Sequence, residues 1–160
     1  MTGHSPRMTV RENLYPAAVD ALEERITLFN SERTGKSDAR QLAILLEAGG
    51  EVAGAVVGFT WAGFCELRQV WVDEAFRGQG HGRALMQKAI EEARRRGCSH
   101  VDLATYSFQA PGFYEKLGFE SLAVIPGRPP SHCDHLMRLK LGREAGRNAP
   151  LERCQEAGAA

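Results

Sequence analysis

The stretch Val70-Trp71-Val72-Asp73-Glu74-Ala75-Phe76-Arg77-Gly78-Gln79-Gly80-His81-Gly82-Arg83 constrains this chain more than any other. An apolar run rich in Val and Trp stops at an acidic pair. An Arg and three alternate glycines follow, and a helical pattern begins at once. Glycine lets a backbone turn with positive φ and approach a ligand closely. The helix behind it aims unpaired N–H groups and its dipole at whatever occupies the loop. Strand, Gly-rich turn and helix N-terminus together predict an anion site, most often for phosphate or pyrophosphate.

Three phosphate-loop patterns compete for the segment. The dinucleotide fingerprint G-x-G-x-x-G fits Gly78 and Gly80 but meets Arg83 where its third Gly belongs. A P-loop needs a Lys-Ser/Thr pair here and finds none. The single Gly35-Lys36-Ser37 has Asn30 in place of the first Gly and follows a helix instead of a strand. What fits without a gap is Arg77-x-x-Gly80-x-Gly82. In this the chain resembles the GNAT superfamily of CoA-dependent N-acyltransferases, whose pyrophosphate signature has that form.

The resemblance strengthens downstream. Phe108-Gln109-Ala110-Pro111-Gly112-Phe113-Tyr114-Glu115-Lys116-Leu117-Gly118-Phe119 is similar to the second GNAT signature, a short helix ending in Phe-Tyr-x-x-x-Gly-Phe. It looks closest to a bacterial subgroup that carries Pro-Pro-Gly-His before the last strand, where this chain has Pro129-Pro130-Ser131-His132. The resemblance covers roughly residues 8–141.

Length and charge agree with one enzyme-sized domain. A chain of 160 residues suits a single core, expected over residues 1–141, with a mobile tail at 142–160. Twenty basic and twenty acidic residues balance, so neither a nucleic acid nor an anionic membrane is an expected partner. No apolar run approaches the ~20 residues of a membrane span, and no signal-peptide core opens the chain. Cys65, Cys98, Cys133 and Cys154 are widely spaced and read as the thiols of a cytoplasmic protein.

Periodicity lays out the elements. Residues 8–13 alternate like a short first strand. Pro16 opens a helix whose Val19, Leu22, Ile26 and Phe29 form an apolar stripe, and 30–39 form a loop. Strands are expected at 41–47, 52–61 and 64–72, with hairpin turns at Gly49-Gly50 and Ala62-Gly63. A helix follows the Gly loop with Gly82, Leu85, Met86, Ala89, Ile90 and Ala93 on one face. Arg94-Arg95-Arg96 form its solvated end, and Gly97 stops it. A strand at 100–105, a short helix at 112–117 and strands at 119–125 and 133–141 complete the chain. The order predicts an α+β fold: a mixed, mostly antiparallel twisted sheet flanked by helices, with one parallel pair around 64–105. That matches the GNAT fold.

The resemblance implies a chemistry. In GNAT enzymes an amine attacks the thioester of acetyl-CoA directly, with no covalent acyl-enzyme. Carried onto this chain, the backbone of Val70, Trp71 and Val72 would pair with the pantetheine amides. Arg77, Gly78, Gln79, Gly80, His81, Gly82 and Arg83 would hold the pyrophosphate. Tyr114 would be the general acid beside the departing sulfur. Glu66 is the candidate proton acceptor, on a strand whose alternation puts Arg68, Val70 and Val72 on its own face; Arg68 is equally placed to pair with it. Phe59, Trp61 and Trp71 are candidates to line an acceptor pocket, though strand aromatics are usually core. Ser107 stands where many protein N-terminal acetyltransferases have Asn. His132, Cys133, Asp134 and His135 alternate faces and do not make a metal site, so no metal is expected. The acceptor is an amine, small molecule or peptide N-terminus. A homodimer follows only by analogy with the family. The other class of function open to such a chain is an acyl-CoA-binding module without turnover.

Overall fold

The computed structural model describes residues 8–13 and 15–142. Pro16 starts α1 (Pro16–Thr34), which closes at Gly35 in a left-handed conformation whose N–H bonds Ser31 O. Two long hairpins follow as β1 (Arg40–Ala48), β2 (Glu51–Trp61) and β3 (Phe64–Val72). A single 3-10 turn at Glu74–Phe76 leads through the glycines into α2 (His81–Arg95). Then come β4 (His100–Tyr106), α3 (Pro111–Glu115), β5 (Glu120–Pro126) and β6 (Cys133–Lys140). The six strands form one sheet in the order β1-β2-β3-β4-β6-β5, and every pair is antiparallel except β3 with β4. The expected mixed α+β sheet is what the chain forms.

The core lies on one face of that sheet. α2 lays Leu85, Met86, Ala89, Ile90 and Ala93 against Leu42, Val56, Leu67, Val101, Leu103 and Met137, all buried. Each Leu, Ile or Met so removed from water contributes about 1.5–3 kcal/mol. This holds the N-terminus of α2 rigidly beside the end of β3.

Several expectations are corrected. Residues 8–13 form no strand: Met8 and Val10 are fully exposed, and no sheet edge pairs with them. Alternation alone cannot make a strand without a partner for its N–H and C=O groups. The helix expected to end near residue 29 runs on to Thr34, and its stripe is not core. Leu22, Ile26 and Phe29 are about half exposed or more, and no α1 residue is buried. The Arg triple is not all solvated. Arg96 turns inward: its Nε donates to Glu92 at 2.6 Å and its Nη1 to the Gln41 carbonyl at 2.8 Å, which bolts the end of α2 to β1. The expected tail lies, beyond Gly142, outside the described residues.

The most consequential correction is in β3. Val57 pairs with Gln69 but the next residue, Gly58, pairs with Leu67, so Arg68 is an extra residue in a β-bulge. The bulge inverts the alternation. Leu67 is buried under α2, yet Val70 and Val72 also pack against that core. Glu66, opposite Phe59, is on the other face. Glu66 therefore does not share a face with Val70 and Val72.

Candidate active site

The two parallel strands part company. β3 and β4 pair only over Phe64–Leu67 and His100–Leu103, after which no strand covers the β4-side edge of β3. Past that point β3 continues to Val72 and β4 to Tyr106. The separation opens a cleft of about 980 Å³. Val70, Trp71 and Val72 form one wall and Thr105, Phe108 and Gln109 the other. An edge of unpaired peptide groups is a template for an extended ligand.

The glycine loop closes one end. Asp73 Oδ1 accepts from Ala75 N at 3.0 Å and sets the 3-10 turn. Gly78 and Gly80 then adopt φ of 73° and 85°, left-handed values that a side chain would strain. The N–H groups from Gly78 to Arg83 have no acceptor among the described residues. They converge at the positive end of α2, which suits an anion. Gly82 packs its first turn beside Phe113 of α3; a Cβ there would lie 3.7 Å from that ring.

Arg77 has a more definite task than loose attraction. Its Nε donates to the Val72 carbonyl at 2.9 Å and its guanidinium sits 4.5 Å over the Trp71 ring. It braces the end of β3 against the loop, and a cation over an indole adds about 0.5–1 kcal/mol at an exposed site. Gln79 likewise reaches back, donating to Ala75 O at 3.1 Å, and the His81 ring meets Phe76 edge-on.

Tyr114 lies in the cleft wall. It is buried, with Phe113 and Phe119 edge-on to its ring at 5.1 and 5.9 Å. Its hydroxyl has no hydrogen-bond partner among the described residues. Burial pushes its pKa above the ordinary tyrosine value, so at neutral pH it holds its proton. A protonated, unpartnered O–H facing a cleft is a ready donor.

Glu66 lies beside the cleft but not in its lining. Its Oε1 meets Arg68 Nε at 3.3 Å. Of the three aromatics considered from sequence, only Trp71 lines the cleft. Phe59 lies beneath Arg68, and Trp61 donates its indole N–H to Lys36 O at 2.9 Å, at the far end of β2. Ser107 is a staple: its Oγ accepts from Cys133 N at 3.1 Å and ties the end of β4 to β6. Phe108 and Gln109, read from sequence only as part of the second signature, also line the cleft. Phe108, more than half exposed, stacks on Tyr106 and meets His132 edge-on. Gln109 accepts from Tyr106 N at 3.0 Å and Thr105 Oγ1 at 3.3 Å, fixing the turn between β4 and α3. Neither carried a charge or a periodic pattern to mark it.

The chain is similar in sequence and fold to known proteins. The chain is 39% identical over 89 residues to a blasticidin-S acetyltransferase of Streptomyces morookaense, covering 55% of this chain and 65% of that protein, just under two thirds of its length. It is 36% identical over 109 residues to an acetyltransferase of Agrobacterium fabrum, covering 68% of this chain and 80% of that one. A crystal structure of an acetyltransferase from Bacillus cereus superposes with a TM-score of 0.68 at 25% identity, over 83% of this chain and 98% of the other. The profile of the Acetyltransferase (GNAT) family matches residues 9–119, which takes in the bulged strand, the glycine loop and the Tyr114 helix. With the fold and this match in agreement, the chain belongs to the GNAT acetyltransferase family.

Proposed function

We propose that the protein transfers the acetyl group of acetyl-CoA to a primary amine, by direct attack of the amine on the thioester. One observation carries the reading: a single cleft joins an unpaired strand edge, a donor-lined loop and an unpartnered tyrosine hydroxyl. The pantetheine arm would lie along Val70, Trp71 and Val72 as an added strand. The pyrophosphate would take the free N–H groups of Gly78, Gln79, Gly80, His81, Gly82 and Arg83, with Arg77 bracing the strand end behind them. Family membership and relatives named as acetyltransferases support the acyl chemistry.

In the reaction the amine nitrogen bonds the carbonyl carbon, and the C–S bond breaks as the tetrahedral intermediate collapses. The sulfur leaves with a hydrogen bond from the Tyr114 hydroxyl. Full proton transfer from a tyrosine of pKa ~10 to a thiolate of ~8.5 runs uphill by about 2 kcal/mol, and burial of Tyr114 makes it steeper. Donation without transfer is therefore the role assigned to Tyr114. The ammonium proton is assigned to Glu66 through water, since its carboxylate stands outside the lining. An ammonium of pKa ~10.4 costs about 4–5 kcal/mol to deprotonate at pH 7, so such a relay matters. Residues up to 141 are proposed to act as one domain, in the cytoplasm, on a small amine or a peptide N-terminus.

Calorimetry with CoA and acetyl-CoA tests the cofactor site, comparing wild type with Gly80→Trp. A Cβ at Gly80 meets no protein atom within 4 Å, so the indole would project into the proposed pyrophosphate space. Micromolar binding lost in the variant supports the reading. A folded wild type that binds neither ligand ends it. For Glu66, a Glu66→Gln variant should shift the acidic limb of the pH–rate profile; an unmoved limb clears Glu66 of proton transfer.

A further inference from the structure

The cleft holds one unassigned charge. Among the described residues, Arg68 and Arg77 are the only Lys, Arg, Asp or Glu side chains in its lining. Arg77 is engaged at the glycine-loop end by Val72 O and Trp71. Arg68 stands at the opposite end of the exposed part of β3, as the extra residue of the bulge, and bulges re-aim side chains. Its guanidinium carbon lies 4.6 Å from the centre of the Phe59 ring, and its Nε is tethered to Glu66 Oε1 at 3.3 Å. Both Nη nitrogens lack a partner among the described residues. A planar fork is thus pinned at its base and face and left open at its tip.

We infer that Arg68 reads a carboxylate on the acceptor, so that the substrate class is an amine that also carries a carboxylate. The inference rests on the acetyl-transfer reading above. A guanidinium fork matches a carboxylate with two parallel N–H···O bonds. One guanidinium supplies one positive charge, which balances a carboxylate; a phosphate of about −1.5 to −2 calls for more cation than this wall offers. With no acidic side chain in the lining among the described residues, a polycationic amine would meet two arginines and no counter-charge there. Ala55, Val57, Leu67 and Phe108 add apolar wall to the same cleft.

The test measures thiol release from acetyl-CoA with the common L-amino acids and, in parallel, their carboxamides, for wild type, Arg68→Gln and Arg68→Lys. Calorimetric CoA binding is followed for each protein. Wild type should favour acid over carboxamide by about ten- to a hundredfold in kcat/KM, the range of a charge-assisted hydrogen bond. Arg68→Gln should bring that ratio near one through KM, with CoA affinity unchanged, and Arg68→Lys should lie between. Arg68 is half exposed, so both variants should fold. Equal use of acid and carboxamide by wild type, or a preference that survives Arg68→Gln, overturns the assignment. So does CoA binding without turnover of either panel, or turnover only of amines that lack an anion. Absence of CoA binding instead removes the acetyl-transfer reading and this inference with it, a result visible before any acceptor is added.

Discussion

Gly58 lies with its α-carbon hard against the Glu66 carbonyl: a Cβ placed on it would stand 2.0 Å from that oxygen and 2.9 Å from the Leu67 Cα. Both neighbours are backbone, so no side chain can turn aside to make room. The bulge that aims Arg68 exists because β2 offers a residue without a side chain at this crossing. Gly58→Ala should push β3 outward and destabilise the fold by about 1–3 kcal/mol, toward the upper end. Urea unfolding midpoints at constant slope measure it; a change under 0.5 kcal/mol, roughly the noise of a neutral surface substitution, would mean that the strands separate easily here.

Tyr114→Phe removes one oxygen and keeps the ring between Phe113 and Phe119. Turnover should fall about ten- to a hundredfold, the value of one hydrogen bond to a developing charge, while CoA affinity holds. Full turnover in the variant would take the donor role away from Tyr114. Because burial raises the tyrosine's pKa, the hydroxyl stays protonated across a neutral assay range, and no alkaline limb below pH 10 should belong to it.

Arg96 joins three elements through one guanidinium, with Glu92 of α2, the Gln41 carbonyl of β1 and Thr60 Oγ1 of β2 at 2.6, 2.8 and 3.2 Å. Its side chain is 13% exposed, so water cannot replace those bonds cheaply. Arg96→Ala should cost about 2–3 kcal/mol, and Arg95→Ala, on the open side of the same helix, clearly less. Equal losses in thermal or urea unfolding would contradict this division.

Cys65 ties stability to alkali. Burial, then the nearby Cys98, push its thiol from 9.0 up to about 12. In the unfolded chain the thiol ionises from pH 9 while the folded chain keeps its proton. The unfolded state then binds fewer protons, and stability falls as pH rises between 9 and 12, by up to about 1.4 kcal/mol per unit. Cys65→Ala should start lower, from the lost packing, and show a flatter alkaline slope. Parallel slopes for the two proteins would refute the linkage.

Reading from sequence succeeded where one local rule decided the outcome. The glycine loop, the five buried positions of α2 and the hairpin turns at Gly49-Gly50 and Ala62-Gly63 each follow from spacing within a few residues. It failed where the partner decided. Met8 to Asn13 alternate like a strand, but a strand needs an edge. The α1 stripe has helical spacing, but nothing in spacing states what it faces. The inversion at Arg68 is the instructive case, for Phe64 to Val72 reads as one strand, and the extra residue becomes visible only in register with Val57 and Gly58. A Gly at 58 was its sole trace in the sequence. The pairing of Arg68 with Glu66 was legible from spacing, but the cleft that Arg68, Phe108 and Gln109 line was not, since two separated segments had to be set side by side before they shared a wall.

The early parting of β3 from β4 leaves the sheet unpaired through part of its middle. A ligand extended in that gap would supply bonds the polypeptide lacks and bridge two half-sheets otherwise joined over four residue pairs. Ligand and fold then answer to the same equilibrium. A donor at a hundred times its Kd would add about 2.7 kcal/mol to unfolding. The gain should concentrate in the slow exchange of amides at Val70 to Val72 and at Ala104 and Thr105, so that hydrogen exchange at these few positions reports occupancy directly. Within a cell the working stability of such a protein would rise and fall with the supply of its own cosubstrate.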